Sequence, residues 1–485
     1  MDSRKTLILI GAGAACLVAG YVSAHADNMK ILVLVFAGLS VVAAFFRPRA
    51  VVYAWLAGSA LAYPFWMEHI SSRLTVHAAF AVFLLTVLMA RWLTTGRWPK
   101  LYWWELLFPI FGLACMLSSL RGAAYAVTPV GLFRDLVLPF SVYLFAREFM
   151  ADGRKLRIVA ILALLTGVWV ASVGYYEYTT DRHFWAPIDA ASQISKAIGP
   201  YQSEMRYGFM QVMHFFLGLY LIRTLQRREM SSVLKFLIGV PLLVWIGYST
   251  ILSSQRSVVI AFVASLAVQI YYLRHRVWSA TFIIFVLFLF FYNYTHLLDT
   301  TVIQQKLTVT DHSAKVRVAQ NIQALNIFVD YPFFGVGYHY FNNPRRVDKY
   351  LAYFKGASSR GHFIHNSALY TLATSGLFGA LPYILSRLGM MIFIFRAVGR
   401  TRGHPDHLMM VTAMSIFVAY FFIDQSNAIA YAEVVSTLFF LVIGIAVGRY
   451  ETIRRERTEA ALPPSRASSR PALAAGPAAR RTDSL

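Results

Sequence analysis

Arg157-Ile158-Val159-Ala160-Ile161-Leu162-Ala163-Leu164-Leu165-Thr166-Gly167-Val168-Trp169-Val170-Ala171-Ser172-Val173-Gly174-Tyr175-Tyr176-Glu177 runs for nineteen residues between its first and last charges. As a helix, that length crosses the hydrocarbon of a bilayer, which needs about 17–25 apolar residues. Similar runs recur along nearly the whole chain. About fourteen are legible, near 6–24, 30–46, 50–66, 74–90, 102–119, 128–146, 157–177, 208–222, 232–248, 256–273, 277–294, 365–395, 408–424 and 432–449. Composition agrees: the 485 residues are 58% hydrophobic and 14% charged, with mean hydropathy +0.55, against roughly 25% charged in an ordinary globular protein. The pattern predicts an all-α fold, a polytopic transmembrane helix bundle of about 12–14 spans.

Basic residues set the expected topology. With Arg4 and Lys5 in the cytoplasm, alternate spans end at Arg47/Arg49, Arg91/Arg97/Lys100, Arg147/Arg154/Lys155/Arg157, Arg223/Arg227/Arg228, Arg274/Arg276, Arg396/Arg400/Arg402 and Arg449. All fall on one side, as the positive-inside rule requires. The net charge of +22 is then a topology signal, and with no zinc or RNA-binding motif beside it nucleic acid is not an expected partner. Residues 1–450 read as one membrane domain with external loops 178–207 and 295–364. Residues 451–485 read as a cytoplasmic tail, a short basic helix followed by a disordered stretch rich in Ala, Pro, Ser and Arg. Ala24-His25-Ala26 imitates a signal-peptide cleavage site, but the many spans that follow favour an uncleaved first helix. Cys16 and Cys115 both lie in apolar segments and suggest neither a disulfide nor a metal site. No internal repeat and no soluble domain is legible.

The external loops carry the polar signal. Loop 295–364 holds a helical pattern from Ser313 to Val329, with apolar Val316, Val318, Ile322, Leu325 and Phe328, then the turn-rich Asp330-Tyr331-Pro332-Phe333-Phe334-Gly335-Val336-Gly337-Tyr338. It reads as an amphipathic helix lying on the membrane surface. Arg317 on that helix, and Arg345, Arg346, Lys349, Lys355 and Arg360 beyond it, put positive charge outside against the general rule, which suits an anionic ligand. Arg206, Arg256 and Arg134 share the external boundary. A buried arginine costs several kcal/mol unless it is paired or functional; for Arg134 the neighbouring Asp135 is a ready ion-pair partner. The loop closes on Arg360-Gly361-His362-Phe363-Ile364-His365-Asn366, followed at fixed spacing by Gly376 and Gly379.

His365-Asn366-x9-Gly376-x2-Gly379 after a long external loop resembles the O-antigen ligase and O-antigen polymerase superfamily. So do Arg206-x-Gly208, Gln255-Arg256-Ser257 at a helix mouth, and Asp330-Tyr331-Pro332-x2-Gly335-Val336-Gly337. The motifs cover roughly residues 200–440. Members commonly have about twelve spans, slightly fewer than the runs counted here. The resemblance implies transfer of a glycan from undecaprenyl pyrophosphate to an acceptor sugar hydroxyl at the periplasmic face of the bacterial inner membrane, without a nucleotide sugar, metal or other cofactor. For a ligase the acceptor is lipid A–core; for a polymerase it is another lipid-linked glycan. Membrane lipids are the surroundings.

The residue types suit that chemistry on independent grounds. Arginine's fork matches phosphate oxygens and stays charged, so Arg206 and Arg256 would hold the pyrophosphate leaving group. An acceptor hydroxyl must lose its proton as it attacks, and imidazole does this near neutral pH. His365 would be the base, Asn366 its orienter or a sugar contact, and His362 a substitute base. Arg360, Arg317 and Arg134 complete the substrate-binding set. Gly376 and Gly379 would let their helix pack close to a neighbour. Direct displacement inverts the anomeric centre. A transporter or flippase is the alternative class, but such proteins place charges near mid-bilayer within internal halves. Here the charges gather at one face beside a large loop, which favours an interfacial enzyme.

Overall fold

The computed structural model describes residues 48–69, 75–96, 98–121, 131–183, 196–225, 231–273, 301–338, 348–359, 364–427 and 429–460. The runs near 6–24, 30–46 and 277–294, the Ala24-His25-Ala26 site, Arg360, His362 and the tail past 460 lie outside the described residues. The other apolar runs are all helical. They form α1 (Pro48–His69), α2 (Val76–Thr95), α3 (Trp103–Arg121), α4 (Leu138–Phe149), α5 (Gly153–Thr180), α6 (Glu204–Thr224), α7 (Val240–Leu252) and α8 (Arg256–Leu273). After the loop helix α9 (Thr301–Asp330) come α10 (Ser367–Arg400), α11 (His407–Ser426) and α12 (Glu433–Ala460). Five-residue π turns, Phe133–Val137 and Lys235–Gly239, lead into α4 and α7. Among the described residues the strands are β1 (Tyr353–Phe354) and β2 (Ala357–Ser358), an antiparallel pair turning at Lys355-Gly356.

Six of these helices, α2, α3, α5, α10, α11 and α12, are long and apolar enough to cross a bilayer by length and composition. This is a multi-pass membrane protein. Helices pair as α3 with α10, α4 with α12, α8 with α11, and α5 with α6. The centre is aromatic: Tyr143, Phe145, Phe215, Phe216, Phe417 and Phe439 are essentially inaccessible. Leu113, Leu165, Leu237, Ile260 and Phe395 are instead exposed on the outside. In water that much apolar surface would drive association; against acyl chains it is the expected exterior.

The even-numbered helices start on one face of the bundle and end on the other. On the second face the basic clusters meet. Arg147 pairs with Glu105 and Glu451, Arg449 Nε lies 2.8 Å from Asp406, Arg157 donates to the Thr224 carbonyl, and Arg400 donates to Tyr450. Along α12, Glu433 on the first face and Glu451 on the second are about 27 Å apart at 1.5 Å per residue, close to the thickness of the hydrocarbon core.

The loop helix differs from expectation. It spans Thr301–Asp330 rather than Ser313–Val329. Its buried side is Ala319, Gln320, Gln323, Ala324 and Ile327, whereas Val318 and Leu325 are exposed. The expected apolar stripe followed the largest side chains, but the surface that α9 meets on α10 is small and aromatic. Ala324 and Ile327 pack with Tyr370, Ala373, Tyr350 and Ile364.

Directly after α9 the chain docks into a break in α10. Gly376 has φ 59° and ψ −159° inside the helix, a region open almost only to glycine. The break frees backbone groups at membrane depth, where each unpaired one costs several kcal/mol. The turn 332–337 takes them up. Val336 N donates to Ala373 O, Gly337 N to Thr374 O, Leu377 N to Pro332 O and Phe378 N to Phe333 O, at 2.8–3.1 Å. Ser118 Oγ reaches Phe334 O at 2.6 Å and also the Thr374 carbonyl. A Cβ on Gly376 would lie 2.4 Å from the Phe333 carbonyl carbon, and one on Gly335 2.3 Å from that of Thr374. The expectation that Gly376 serves helix–helix packing is thereby corrected: it lets the turn enter its own helix. At Gly379 an added Cβ would meet Ser375, one turn earlier in the same helix.

Candidate functional site

Gln425 at the end of α11, Asn427 after it and Glu433 at the start of α12 are the hub of the first face. Asn366 caps α10 by accepting from Leu369 N at 3.0 Å, and its Nδ2 donates to the Gln425 carbonyl at 3.1 Å. Ser367 Oγ donates to Asn427 O at 3.4 Å, and Asn427 Nδ2 donates to Ser257 Oγ at 3.3 Å. Ser367, next to Asn366, is therefore tied through Asn427 to Ser257, the residue beside Arg256. Half-buried His365 immediately precedes the cap of α10, and exposed Arg256 opens α8.

Arg206 reaches the same place by a separate route. The Glu177 carboxylate, buried at the end of α5, accepts from Ile198 N at 3.0 Å and Gly199 N at 2.7 Å and so pins the end of the medium loop. The loop stops earlier than expected, because α6 begins at Glu204 and holds Arg206 in its first turn. Gly208, one turn on, abuts the α7–α8 corner; a Cβ there would lie 2.8 Å from Ser253 Oγ. Gln255 Nε2 donates to Glu204. The two arginine-bearing helix mouths are thus stitched together. Arg317 on α9 lies within charge–charge range of Arg256.

Arg134 sits in the π turn before α4. Its Nε lies 2.6 Å from Asp135 and 3.3 Å from Glu433, the first residue of α12. Arg206 is within charge–charge range of both carboxylates and of His77. The expected ion pair of Arg134 is therefore present and has a second carboxylate. Glu433 and His77 were not picked out from the sequence. A lone acid at the start of an apolar helix looks like an ordinary dipole partner, and a lone histidine in an apolar run looks like packing.

Four helix N-termini, those of α6, α8, α10 and α12, converge on this surface. Each carries the partial positive charge of a helix start, which favours anions. With Arg206 and Arg256 at two of them, the surface suits a phosphate group with an imidazole close by. Residues 241–384 match the O-antigen ligase family. The matched stretch holds Arg256, Arg317, His365, Asn366, Gly376 and Gly379. No curated relative matches the chain.

At the rim, outside the spans, Tyr350 donates its hydroxyl to Asp330, and Lys349 Nζ lies 3.5 Å from the same carboxylate. The Tyr350 hydrogen bond, helped by Lys349, holds the Asp330 carboxyl below its usual range. The tyrosine in turn is raised, by burial first and by Asp330 second. This clasp closes residues 348–350 onto the end of α9, just before the inserted turn.

Arg387 lies apart from this surface, deep in α10. Its guanidinium is ringed by Phe108, Tyr383, Tyr420, Phe439 and Phe440 at 4.9–5.9 Å and donates to the Tyr420 hydroxyl at 3.1 Å.

Proposed function

We propose that the protein is an O-antigen ligase-like glycosyltransferase that moves a glycan from undecaprenyl pyrophosphate onto a sugar hydroxyl of lipid A–core at the periplasmic face of the inner membrane. The observation that carries the reading is the convergence of His365-Asn366, Arg256 and Arg206 on one hub at one membrane face. The family match supports ligase- or polymerase-type transfer in general, and the His365-Asn366-x9-Gly376-x2-Gly379 spacing leans the reading to ligation.

In this reading the pyrophosphate rests between the mouths of α6 and α8, its oxygens on the guanidinium forks of Arg206 and Arg256. The acceptor oxygen attacks the anomeric carbon from the opposite side. The new C–O bond forms as the bond to pyrophosphate breaks, and the anomeric centre inverts. The hydroxyl proton passes to the His365 imidazole and the electron pair leaves with the pyrophosphate. Charge growing on the bridging oxygen is met by the arginines and by helix N-termini already pointing at it, so little reorganisation is needed. Asn366 holds the start of α10, and with it His365, against the hub. Arg360 and His362 stay in the proposed substrate-binding set by their place in the loop.

The experiment is transfer from a synthetic lipid-linked donor by the purified protein. Arg206→Lys and Arg256→Lys keep the charge but lose the fork, and each is expected to lower transfer at least tenfold. Transfer near the wild-type rate by both lysine variants would argue against fork binding of pyrophosphate. In cells, a deletion that leaves long glycans on the carrier supports ligation. Accumulated single repeat units would mark a polymerase instead.

A further inference from the structure

Gln320 and Gln323 on α9 are fully enclosed, and among the described residues none of their four amide atoms has a hydrogen-bond partner. An enclosed amide left unpaired costs about 1–3 kcal/mol, and such groups are few in native proteins. Gln269 in α8 shares the condition singly; on α9 there are two, one turn apart, on the face that Arg317 also occupies. Ala324 and Ile327 of that face meet Tyr370 and Ala373 of α10. Ile364, next to His365, packs in the same cluster as Ala324 and Ile327, and toward the N-terminus of α9 Arg317 lies within charge–charge range of Arg256. Along α9 the amides thus lie between Arg317, which approaches Arg256, and the residues that pack against Ile364 beside His365. A carboxylate there would be captured by Arg256 or Arg317, whereas a neutral amide keeps both a donor and an acceptor to offer.

We infer that Gln320 and Gln323 read the hydroxyls of the sugar being transferred, beside the arginines that hold its pyrophosphate. This rests on the transferase reading above. A sugar ring carries adjacent hydroxyls that both donate and accept, which is the complement of an amide edge. The amides are closed off by the cap formed by α9 and the 348–359 segment packed on it, so the sugar enters when that cap shifts from α10. An unsatisfied pair kept at a stability cost is what a site complementary to an absent polar ligand requires. Sites of that kind reject analogues lacking the hydroxyl strongly.

The test uses full-length protein reconstituted with synthetic undecaprenyl-pyrophosphate donors, one bearing the complete sugar and a set each lacking a single hydroxyl. Gln320→Leu and Gln323→Leu remove the amides at similar volume. Each is expected to leave the thermal midpoint unchanged or raised, to lower kcat/KM for the complete donor roughly tenfold, the worth of about one hydrogen bond, and to erase the preference for that donor over one of the deoxy donors. Undecaprenyl pyrophosphate without sugar should bind as before. The preference is a ratio of rates, so it holds however much of a variant folds. A raised midpoint with unchanged transfer, or an unchanged preference against every deoxy donor, overturns the inference while wild-type transfer keeps the reading it rests on. Absence of wild-type transfer removes both.

Discussion

At the residue scale the open choice is which imidazole takes the acceptor proton. His365 immediately precedes the Asn366 cap of α10, beside a hub that also touches the Arg256 helix mouth, so a base there lies close to the leaving group. His365→Ala is expected to slow transfer by at least about 10²-fold, the low end for a general base, with donor binding kept. His362→Ala is expected to matter less. The reverse order, a dead His362 variant beside an active His365 variant across a pH series, would move the base. The His-Asn spacing, Arg206 and Arg256 were legible because charge and imidazole are rare beside apolar runs. Glu433, His77 and the α9 glutamines were not. Each is unremarkable where it stands in the sequence and acquires meaning only from distant residues folded against it, as Glu433 does from Arg134, some 300 positions away.

At the element scale the break in α10 and the turn 332–337 are one unit, since each satisfies the other's backbone. Gly376→Ala forces a side chain into a glycine-only conformation at a cost of about 1–3 kcal/mol and drives a Cβ to 2.4 Å from the Phe333 backbone. We expect a thermal midpoint several degrees lower and lost transfer. Gly58→Ala, in α1 with nothing within 4 Å of the added Cβ, serves as a near-neutral control. Equal effects from the two substitutions would refute the inserted turn. The spacing from His365 to Gly376 was legible, but its reason was not, because the partner turn lies 40 residues earlier and nothing local announces a helix interrupted by another segment. The rim clasp gives the unit a pH window. Asp330 is held below the ordinary carboxylate range, so its contribution is present above about pH 4 and fades as pH falls through its lowered folded value. Tyr350 is held above 10, so the neutral phenol's contribution is present below that pH and is lost as pH rises through its raised folded value. Hydrogen-exchange protection of residues 331–337, taken relative to the intrinsic rate at each pH, should therefore be greatest between those limits. Asp330→Asn should flatten the acid side; a profile identical to wild type there would dismiss the clasp.

At the scale of the whole molecule, charge divides the protein into two faces. One gathers Arg91, Arg147, Arg157, Arg400 and Arg449, mostly paired or capping helix ends; the other gathers Arg134, Arg206 and Arg256 at helix starts, where cations are not needed to offset a dipole. This division was legible from the alternation of basic clusters before any contact was known, because the positive-inside rule acts on sequence position and not on packing. How the helices pair was not legible, since uniformly apolar runs carry little information about their neighbours. The division fixes a prediction about sidedness. If the first face is periplasmic, then α9 is outside and the α10–α11 turn is inside. Single cysteines at Thr310 and Arg402, in a background with Cys16 and Cys115 replaced by alanine, report it in intact cells through an impermeant thiol reagent. Position 310 should label from outside, and position 402 only after the membrane is opened. Labelling of 402 with protection of 310 would invert the protein and put the arginines of the hub in the cytoplasm, where a periplasmic glycan carrier could not reach them.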